Sequence, residues 1–366
     1  MRRVVVMPGT GIGPEVTKEA VRIATWFATK RGLPIDISQP PSGPEAYRTL
    51  GTSMPDSTLQ ALHDADAILY GAAGGPEVDA MPKAQQQASN LRRLRKELAM
   101  FANLRPVVAL ASMLDASTLK REVIEGVDML IIRELNGGIY YGEPRGIETL
   151  PDGRRRGINT QVYTTDEIER VARVGFELAR ARRGRLTSID KANVMESGVL
   201  WREEVDRLHR AEFPDIALNH LYVDNAAMQL VRDPRQFDVI VTDNIFGDIL
   251  SDCAAMIAGS LGMLPSASLS APDAQGRRRA LFEPVHGSAP DIAGQGIANP
   301  IGAILSFAMA MRHVLGSEAD AKLLEQAVTA ALGGKRTADI MQAGCQQVST
   351  TGMGSAVLAD LERLTG

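Results

Sequence analysis

The chain has 366 residues, of which 45% are hydrophobic and 23% are charged. This length suggests two domains, and this composition is typical of a globular protein with a large core rather than of a disordered chain. The formal net charge of -4 gives no global attraction to nucleic acid or to an anionic membrane, so we expect neither as a partner.

The cysteine content and the apolar runs favour a cytoplasmic location. Two cysteines, Cys253 and Cys345, are too few for a disulfide framework. Cys253 falls in a predicted helix, where we expect it to be a small buried side chain. The first apolar run, Val4–Met7, is too short for a signal-peptide core, and no stretch reaches the ~20 apolar residues of a membrane span.

Short apolar runs alternate with stretches of helical spacing along the chain. The predicted strands are Val4–Met7, Ala67–Tyr70, Val107–Leu110, Met129–Ile132, Leu186–Ile189 and Val239–Thr242. Helical spacing covers Glu15–Thr29 and Leu91–Phe101, and the chain is mostly helical from Asn299 onward. This alternation predicts an α/β fold with a mainly parallel sheet.

The segment Ile139–Tyr163 interrupts this alternation. It is rich in glycine and proline, and Pro151-Asp152-Gly153 is a strong turn signal between two short extended pieces. We therefore predict a β-hairpin arm over about 139–163. A two-stranded arm is marginally stable alone and needs a partner to cover it.

A glycine-rich loop, Pro8-Gly9-Thr10-Gly11-Ile12-Gly13, follows the first strand and opens a helix. The glycines indicate either a nucleotide site or simply a tight turn, with equal weight. Pro14 stands where the Rossmann pattern has a small residue, and no acidic residue ends an obvious second strand. The fold is therefore not predicted to be a Rossmann fold.

Charged residues that suit a carboxylate substrate and a metal ion follow the predicted strands. Arg95, Arg105 and Arg133 could bind carboxylates bidentately, although an arbitrary arginine is more often solvated. Asp248 and Asp252 are spaced i, i+4 and share one face if a helix starts near Phe246, which suits Mg²⁺ or Mn²⁺. Asp224 is a third candidate carboxylate, and the alternative is a pair of ordinary helix-terminal acids.

Two further segments could carry chemistry. Lys191 ends a predicted strand and could act as a base, or it could be a surface lysine. The loop Glu283–Gly294 is dense in glycine, proline and polar residues, and its amides could cradle phosphate. Within it, Asp291 could accept a ribose hydroxyl, whereas a lone His286 is more often structural.

Seven segments, in one order over almost the whole chain, resemble the β-decarboxylating dehydrogenases, which include the 3-isopropylmalate, isocitrate and homoisocitrate dehydrogenases. They are PGTGIGPE from Pro8, LRKELAMFANLRPV from Leu94, VDMLIIRELNGGIYYGEPRG from Val127, SIDKANVMESGVLWR from Ser188, VTDNIFGDILSD from Val241, GSLGMLPSASL from Gly259 and EPVHGSAPDIAGQGIANPIGAILS from Glu283. Within this family, the residues of these segments are most similar to those of the isopropylmalate dehydrogenases.

The resemblance implies a role for each matching residue. It assigns Tyr140 as the general acid, Lys191 as the base and Asp224 as its assistant. Substrate contacts are expected at Leu91, Arg92, Arg95, Arg105, Arg133 and Asn193, and metal ligands at Asp224, Asp248 and Asp252. Contacts to NAD are expected at Gly74, Gly75, Glu283, His286, Gly287, Ser288, Ala289, Asp291 and Asn299.

The family's architecture is also implied. It predicts a discontinuous nucleotide-binding domain, residues 1–104 plus 259–366, around a central domain of residues 105–258 that bears the arm. It further implies a homodimer in which Lys191, Asn193 and Asp224 enter the partner's active site.

Two departures from the family pattern bear on the substrate. Thr10 stands where the family usually has aspartate. Ala88, Leu91 and Arg92 occupy positions that in isopropylmalate enzymes typically carry Glu, Leu and Leu, whereas homoisocitrate enzymes carry an arginine at the position of Arg92. We expect 3-isopropylmalate, with an anionic 3-substituent (homoisocitrate, isocitrate or a phosphono analogue) as the alternative. A non-catalytic regulatory homologue and a plain nucleotide-binding module are remoter alternatives, because the catalytic set is intact.

Overall fold

A computed structural model describes all residues from Met1 to Gly366. The strands are β1 (Arg2–Gly9), β2 (Ile35–Ser38), β3 (Ala67–Ala72), β4 (Met100–Val108), β5 (Asp128–Glu134), β6 (Gly142–Thr149), β7 (Arg155–Thr160), β8 (Arg185–Asp190), β9 (Ala217–Tyr222), β10 (Val239–Thr242), β11 (Pro265–Ser270), β12 (Ala280–Pro284), β13 (Lys335–Arg336) and β14 (Gln346–Gln347). The α/β fold class is confirmed.

The helices lie between these strands and dominate the C-terminal part. They are α1 (Gly13–Lys30), α2 (Gly43–Leu50), α3 (Asp56–Asp64), α4 (Pro76–Asp79), α5 (Lys83–Ala88), α6 (Leu91–Glu97), α7 (Arg121–Ile124), α8 (Thr165–Ala181), α9 (Glu196–Glu212), α10 (Val223–Arg232), α11 (Asn244–Ala255), α12 (Ile301–His313), α13 (Glu318–Ala331) and α14 (Thr350–Thr365). None of them is both long enough and apolar enough to cross a membrane.

The chain divides into two compact units. Unit 1 consists of Met1–Met100, Val108–Glu125 and Ala255–Gly366, and unit 2 consists of Phe101–Val107 and Gly126–Ala254. The sequence expectation placed the boundaries at 104/105 and 258/259. It assigned 108–125 to the central domain, whereas this segment is part of unit 1.

Unit 1 has the strand order β2-β1-β3-β12-β11. The first four strands are parallel, and β11 pairs antiparallel with β12. Helix α12 packs on β11 and β12 and also contacts α1 and α13. Almost all side chains of α12 are buried, and Phe307 and Met311 lie in the core. This burial is expected for a helix that is apolar around most of its circumference.

Unit 2 has the strand order β4-β5-β10-β8-β9, in which β5, β10, β8 and β9 are parallel. Strand β10, Val-Ile-Val-Thr, is fully buried, as expected for a central parallel strand. Helix α8 covers the sheet and begins with a capping box between Thr164 and Glu167. The carboxyl ends of the parallel strands carry Arg133, Lys191 and Asp243.

The hairpin predicted over 139–163 is present. Strands β6 and β7 are antiparallel, with Thr149 opposite Arg155 around the turn. Most of the side chains of this arm are exposed, and Ile147 is 68% exposed. The arm therefore has little cover from its own chain.

Three local predictions are wrong. The helix predicted over Leu91–Phe101 ends at Glu97, because Ala99 adopts a φ of +53° and β4 begins at Met100. The strand predicted over Val107–Leu110 is only the end of β4. Cys253 is exposed rather than buried, because it lies on the solvent face of α11.

Two glycines with similar backbone conformations allow steric crowding to be separated from conformational strain. Gly9 and Gly32 have φ values of +74° and +68°, but a Cβ at Gly9 would lie 1.8 Å from the carbonyl oxygen of Ala72, whereas nothing lies within 4 Å at Gly32. We expect Gly32→Ala to cost about 1 kcal/mol of unfolding free energy. Gly9→Ala should cost at least about 3 kcal/mol, because β1 and β3 must separate. Urea denaturation measures both, and equal costs would contradict the close approach.

Candidate active site

Arg133 lies near the carboxyl end of β5 and reaches the first turns of α11. Its Nε and Nη2 donate to Oδ1 of Asn244 at 3.1 and 2.8 Å, and its Nη1 donates to Oδ1 of Asp248. Gly247 permits this approach, since a Cβ there would lie 2.7 Å from the Cβ of Arg133. The arginine is 6% exposed, so Asp248 compensates a buried charge.

Arg105 lies in β4 and points to the same helix. Its Nε donates to Oδ1 of Asn103 at 2.7 Å, and its Nη1 donates to Oγ of Ser251 at 2.6 Å and to Oδ1 of Asp252 at 3.3 Å. Its Nη2 lies 3.5 Å from Oδ1 of Asp248. The i, i+4 spacing thus places both carboxylates of α11 against the same arginines.

The two α11 carboxylates are not equivalent. Burial raises the pKa of Asp252, with a contribution from the neighbouring Asp248 carboxylate, while Arg105 and Arg133 act in the opposite direction. The cluster therefore contains two cations and two acids, which are paired with one another.

Tyr140 joins this cluster from the turn that precedes the arm. Its hydroxyl donates to Oδ2 of Asp248 at 3.0 Å, and the guanidinium carbon of Arg133 lies 5.7 Å from the centre of its ring. The turn depends on Gly138, which has a φ of +73° and packs against Tyr163. Unit 2 thus brings together Arg105, Arg133, Tyr140, Asp248 and Asp252.

Lys191 and Asp224 form a separate pair in unit 2. Lys191 follows β8, Asp224 lies in the first turn of α10, and Nζ of Lys191 donates to Oδ1 of Asp224 at 2.7 Å. This hydrogen bond holds the pKa of Asp224 below its ordinary value. Asn193 is exposed near this pair.

A single chain does not contain a complete set of ligands for a metal ion. No group of three or more His, Cys, Asp or Glu side chains is placed to hold an ion. Asp248 and Asp252 are paired with arginines, and Asp224 is paired with Lys191. Two carboxylates on one helix face still form the hard-oxygen set that Mg²⁺ or Mn²⁺ prefers, with further ligands needed from outside this set.

A buried acidic group lies behind the strand ends. Asp243 accepts hydrogen bonds from the backbone N–H of Phe246 at 2.7 Å and from Nε2 of Gln161 at 2.8 Å. Burial raises the pKa of Asp243 to about 7, and it also raises the pKa of the neighbouring Glu134. The sequence analysis did not select Asp243, although a polar residue directly after an all-apolar strand was a usable signal.

In unit 1, the helix α6 presents the residues expected to contact the substrate's 3-substituent. Arg95 forms an ion pair with Glu283, and both side chains are largely buried. Arg92 is exposed, and its guanidinium has no hydrogen-bond or ion-pair partner in the chain. Leu91 and Arg92 line a cavity of about 290 Å³, which Thr10 and Gly74 also line.

The two loops of unit 1 that were expected to bind NAD pack on the glycine-rich loop that follows β1. The hydroxyl of Thr10 donates to the carbonyl of Gly74 at 2.6 Å, and the N–H of Ile12 donates to the carbonyl of Ser288 at 2.8 Å. A Cβ at Gly75 would lie 3.1 Å from Oγ of Ser288. Because Gly75 has no Cβ, the backbone here stays accessible, and a ligand can approach it closely.

The remaining NAD candidates differ in burial. Nδ1 of His286 donates to the carbonyl of Gly287 at 2.9 Å, burial lowers the pKa of His286, and its Nε2 is buried without a partner. Ala289 has a φ of +37°, and Asp291 is exposed. Nε2 of His286 is thus a polar atom available to a ligand.

Asn299 belongs to a network that the sequence analysis missed. Its Nδ2 donates to Oδ2 of Asp339 at 3.1 Å, and the hydroxyl of Ser260 donates to the same oxygen at 2.6 Å. Asp339 stands in a segment without glycine or a recognisable pattern, so no sequence signal identified it. Asn103, Asn244 and Ser251, which hold the buried arginines, were also missed, although they lie within segments that carry the family resemblance.

Comparison with known proteins identifies a matching family and similar proteins over nearly the whole chain. Residues 3–357 match the model of the isocitrate/isopropylmalate dehydrogenase family. The chain is 59% identical to 3-isopropylmalate dehydrogenase 1 of Bradyrhizobium diazoefficiens, over 99% of this chain and 96% of that protein. It is 56% identical to the 3-isopropylmalate dehydrogenase of Paramagnetospirillum magneticum, over 99% of both chains.

Solved structures show the same fold. The isocitrate dehydrogenase of Methylococcus capsulatus superposes with a TM-score of 0.84 at 32% identity, over 99% of both chains. The β-decarboxylating dehydrogenase of Thermococcus kodakarensis superposes with a TM-score of 0.79 at 33% identity, over 100% of this chain and 97% of that one. The chain belongs to the isocitrate/isopropylmalate dehydrogenase family.

Proposed function

We propose that this protein oxidises and decarboxylates a 3-substituted malate with NAD as the hydride acceptor, and that the substrate is 3-isopropylmalate. The observation that carries the proposal is the cluster of Arg105, Arg133, Tyr140, Asp248 and Asp252 in unit 2. The names of the relatives at 59% and 56% identity support the choice of substrate.

The arginines bind the substrate. Arg105 and Arg133 are buried, and each is oriented by an asparagine oxygen, so the Nη groups that contact Asp248 and Asp252 are held in a geometry that also suits substrate carboxylates. Arg95 is expected to bind a carboxylate as well, although its guanidinium is paired with Glu283 within unit 1 in this structure. Orientation before binding reduces the entropy lost when the substrate docks.

Proton transfers are assigned to Lys191 and Tyr140. Lys191 acts as a neutral amine and removes the proton of the 2-hydroxyl, and Asp224 orients the amino group through the 2.7 Å hydrogen bond. NAD, when bound, would supply the nicotinamide that accepts hydride from C2. The 2-oxo acid so formed has a carboxylate β to its carbonyl and loses CO₂, after which the Tyr140 hydroxyl protonates C3.

Asp248 and Asp252, with Asp224 of the partner, are proposed to hold Mg²⁺ or Mn²⁺. Their oxygens are the hard donors that such ions prefer. The bound ion would lower the pKa of the 2-hydroxyl and stabilise the negative charge that develops during decarboxylation. Residues His286, Asp291 and Asn299 of unit 1, with Gly74 and Gly75, are proposed to hold NAD. Asp291 would accept hydrogen bonds from the ribose and repel a 2′-phosphate.

The protein is proposed to be a cytoplasmic homodimer. Both cysteines are free thiols, which fits a reducing compartment. Unit 2 exposes Met228 and Val231 of α10 and Ile249 of α11 by 61%, 56% and 55%, and it also exposes the arm. Exposed apolar side chains on helices can form part of a protein interface.

We expect turnover of 3-isopropylmalate with NAD and a divalent cation, monitored by NADH absorbance. The rate should be lost on exhaustive chelation and restored by Mg²⁺ or Mn²⁺. NADP should give the lower kcat/KM because of Asp291. No turnover of any 3-substituted malate would contradict the proposal and favour a non-catalytic homologue, whereas full activity after chelation would contradict the metal site.

The identity of the 3-substituent is tested at Arg92. Arg92 is exposed on the wall of the 290 Å³ cavity, where its guanidinium would stabilise the anionic substituent of the alternative substrates but not the isopropyl group that the names of the relatives support. We expect Arg92→Leu to raise kcat/KM on 3-isopropylmalate relative to homoisocitrate by about 1–3 kcal/mol of transition-state free energy. Arg93→Leu is the matched control, since Arg93 is exposed on the same helix and does not line the cavity. The same ratio in both variants would show that Arg92 does not face the substituent.

The shared active site is tested by mixing inactive variants. Lys191→Ala and Tyr140→Phe subunits should together recover about one quarter of wild-type activity after subunit exchange, because each mixed dimer has one intact site. The mixture of Lys191→Ala with Asp224→Asn is the control and should stay inactive, because both residues come from the same chain at each site. Activity that fails to recover in verified mixed dimers would argue for self-contained sites.

A further inference from the structure

Tyr70 is a buried tyrosine of β3 that the proposed mechanism does not use. The residue is 7% exposed and belongs to a hydrophobic cluster with Met7 and Leu94. It also lines the cavity of about 290 Å³ that Leu91 and Arg92 line. No hydrogen bond joins its hydroxyl to another group of the chain. Because the hydroxyl of a buried tyrosine usually has a partner, Tyr70 offers a free donor at the wall of this cavity.

Glu283 is the neighbour of Tyr70 on the next strand of unit 1. Strands β3 and β12 are parallel, and their register pairs Leu69 with Phe282. One residue further along both strands, Tyr70 lies opposite Glu283. The two side chains therefore leave the same face of the sheet from backbones about 4.8 Å apart. A turn of the flexible glutamate side chain is enough to bring its carboxylate to the phenol.

Glu283 needs a new partner if Arg95 binds the substrate. The two side chains form an ion pair in this structure, and they are 12% (Arg95) and 9% (Glu283) exposed. Nε of Arg95 is buried without a partner, so the guanidinium is held from one side only. When Arg95 turns to a substrate carboxylate, Glu283 loses its paired cation while it is still largely buried, and an unpaired buried charge is costly.

We propose that Tyr70 releases Arg95 to the substrate by taking its place as the hydrogen-bond donor to Glu283. This inference rests on the proposed function. The carboxylate turns from the guanidinium on α6 to the phenol on the neighbouring strand, whose ring is held by the hydrophobic cluster. A tyrosine hydroxyl can donate to a carboxylate, and such a charge-assisted hydrogen bond is stronger than a neutral one. No proton is transferred, so Tyr70 is a positioning residue.

The charges around the phenol keep it a donor. Burial raises the pKa of Tyr70, the Glu283 carboxylate raises it further, and Arg95 lowers it. When Arg95 moves to the substrate, the group that lowers this pKa is withdrawn, so the hydroxyl keeps its proton while it is needed. Because a phenol is neutral, it does not attract the substrate carboxylate away from Arg95.

The test compares Tyr70→Phe with the wild type. Phenylalanine keeps the ring in the cluster and removes only the hydroxyl. We expect KM for 3-isopropylmalate to rise on the order of 10-fold, the usual worth of a hydrogen bond to a charged group, while kcat stays within about twofold. Tyr47→Phe is the matched control and should leave KM unchanged, since Tyr47 lies on α2 of the same unit and does not line the cavity. An unchanged substrate KM in Tyr70→Phe would overturn the inference, as would a rise confined to KM for NAD.

Stability measurements separate this role from a structural one. Without substrate, the hydroxyl has no partner and Arg95 pairs with Glu283, so the urea midpoint of Tyr70→Phe should equal that of the wild type. The increase in the midpoint that 3-isopropylmalate with Mg²⁺ produces should be smaller in the variant, because the substrate binds it more weakly. A lower midpoint without ligands, together with an unchanged increase on binding, would show a packing role and overturn the inference.

A double variant identifies Glu283 as the acceptor. In Glu283→Gln the side chain is neutral and leaves no buried charge, so the addition of Tyr70→Phe should change the substrate KM by less than about twofold. If Glu283→Gln turns over too slowly, the increase in the urea midpoint on binding gives the same comparison. The full effect of Tyr70→Phe in this background would overturn the inference, because the hydroxyl would then act on another group. No turnover of any 3-substituted malate by the wild type would instead contradict the proposed function.

Discussion

The structure of unit 2 depends on the compensation of two buried guanidinium groups by one helix. Arg105 and Arg133 cannot release their protons, and leaving either unpaired in the interior would be strongly destabilising. Asp248 and Asp252, one turn apart on α11, supply the opposite charge. Because that requirement fixes how closely α11 approaches β5, the position of Gly247 is constrained to the smallest side chain.

The same charges serve stability and chemistry. Groups that would bind a polycarboxylate and groups that would bind a metal hold each other while neither ligand is present, and the hydroxyl of Tyr140 is oriented by one of these carboxylates. Lys191 with Asp224 in unit 2, and Arg95 with Glu283 in unit 1, are further pairs of a cation and a carboxylate. Reactive side chains are thus kept in defined positions by partners that ligands of matching charge can replace.

Structural features encoded by a few consecutive residues were predicted correctly from the sequence. Features that depend on contacts between distant residues were not. The strand at Val239–Thr242 and the hairpin arm follow from an apolar run and a turn signal. The first two residues of β4 were assigned to a helix and residues 102–106 to no element, because Asn103 and Arg105 interrupt the apolar run although both side chains are buried. The partners of Arg105 on α11, Ser251 and Asp252, lie 146 and 147 residues further along the chain, beyond any local pattern.

The sequence by itself determined the α/β class, the family resemblance and the residues with catalytic potential, because periodicity, turn chemistry and motifs are properties of short segments. It also determined that Asp248 and Asp252 share a face, since the helical repeat requires it. Only the tertiary structure decided which cation each carboxylate meets, that Cys253 is exposed, and that Asp243 is buried beside an unsatisfied amide oxygen. Burial and pairing arise from elements far apart in the chain, and they set the charge state of each side chain through desolvation and Coulomb interactions that no local pattern encodes.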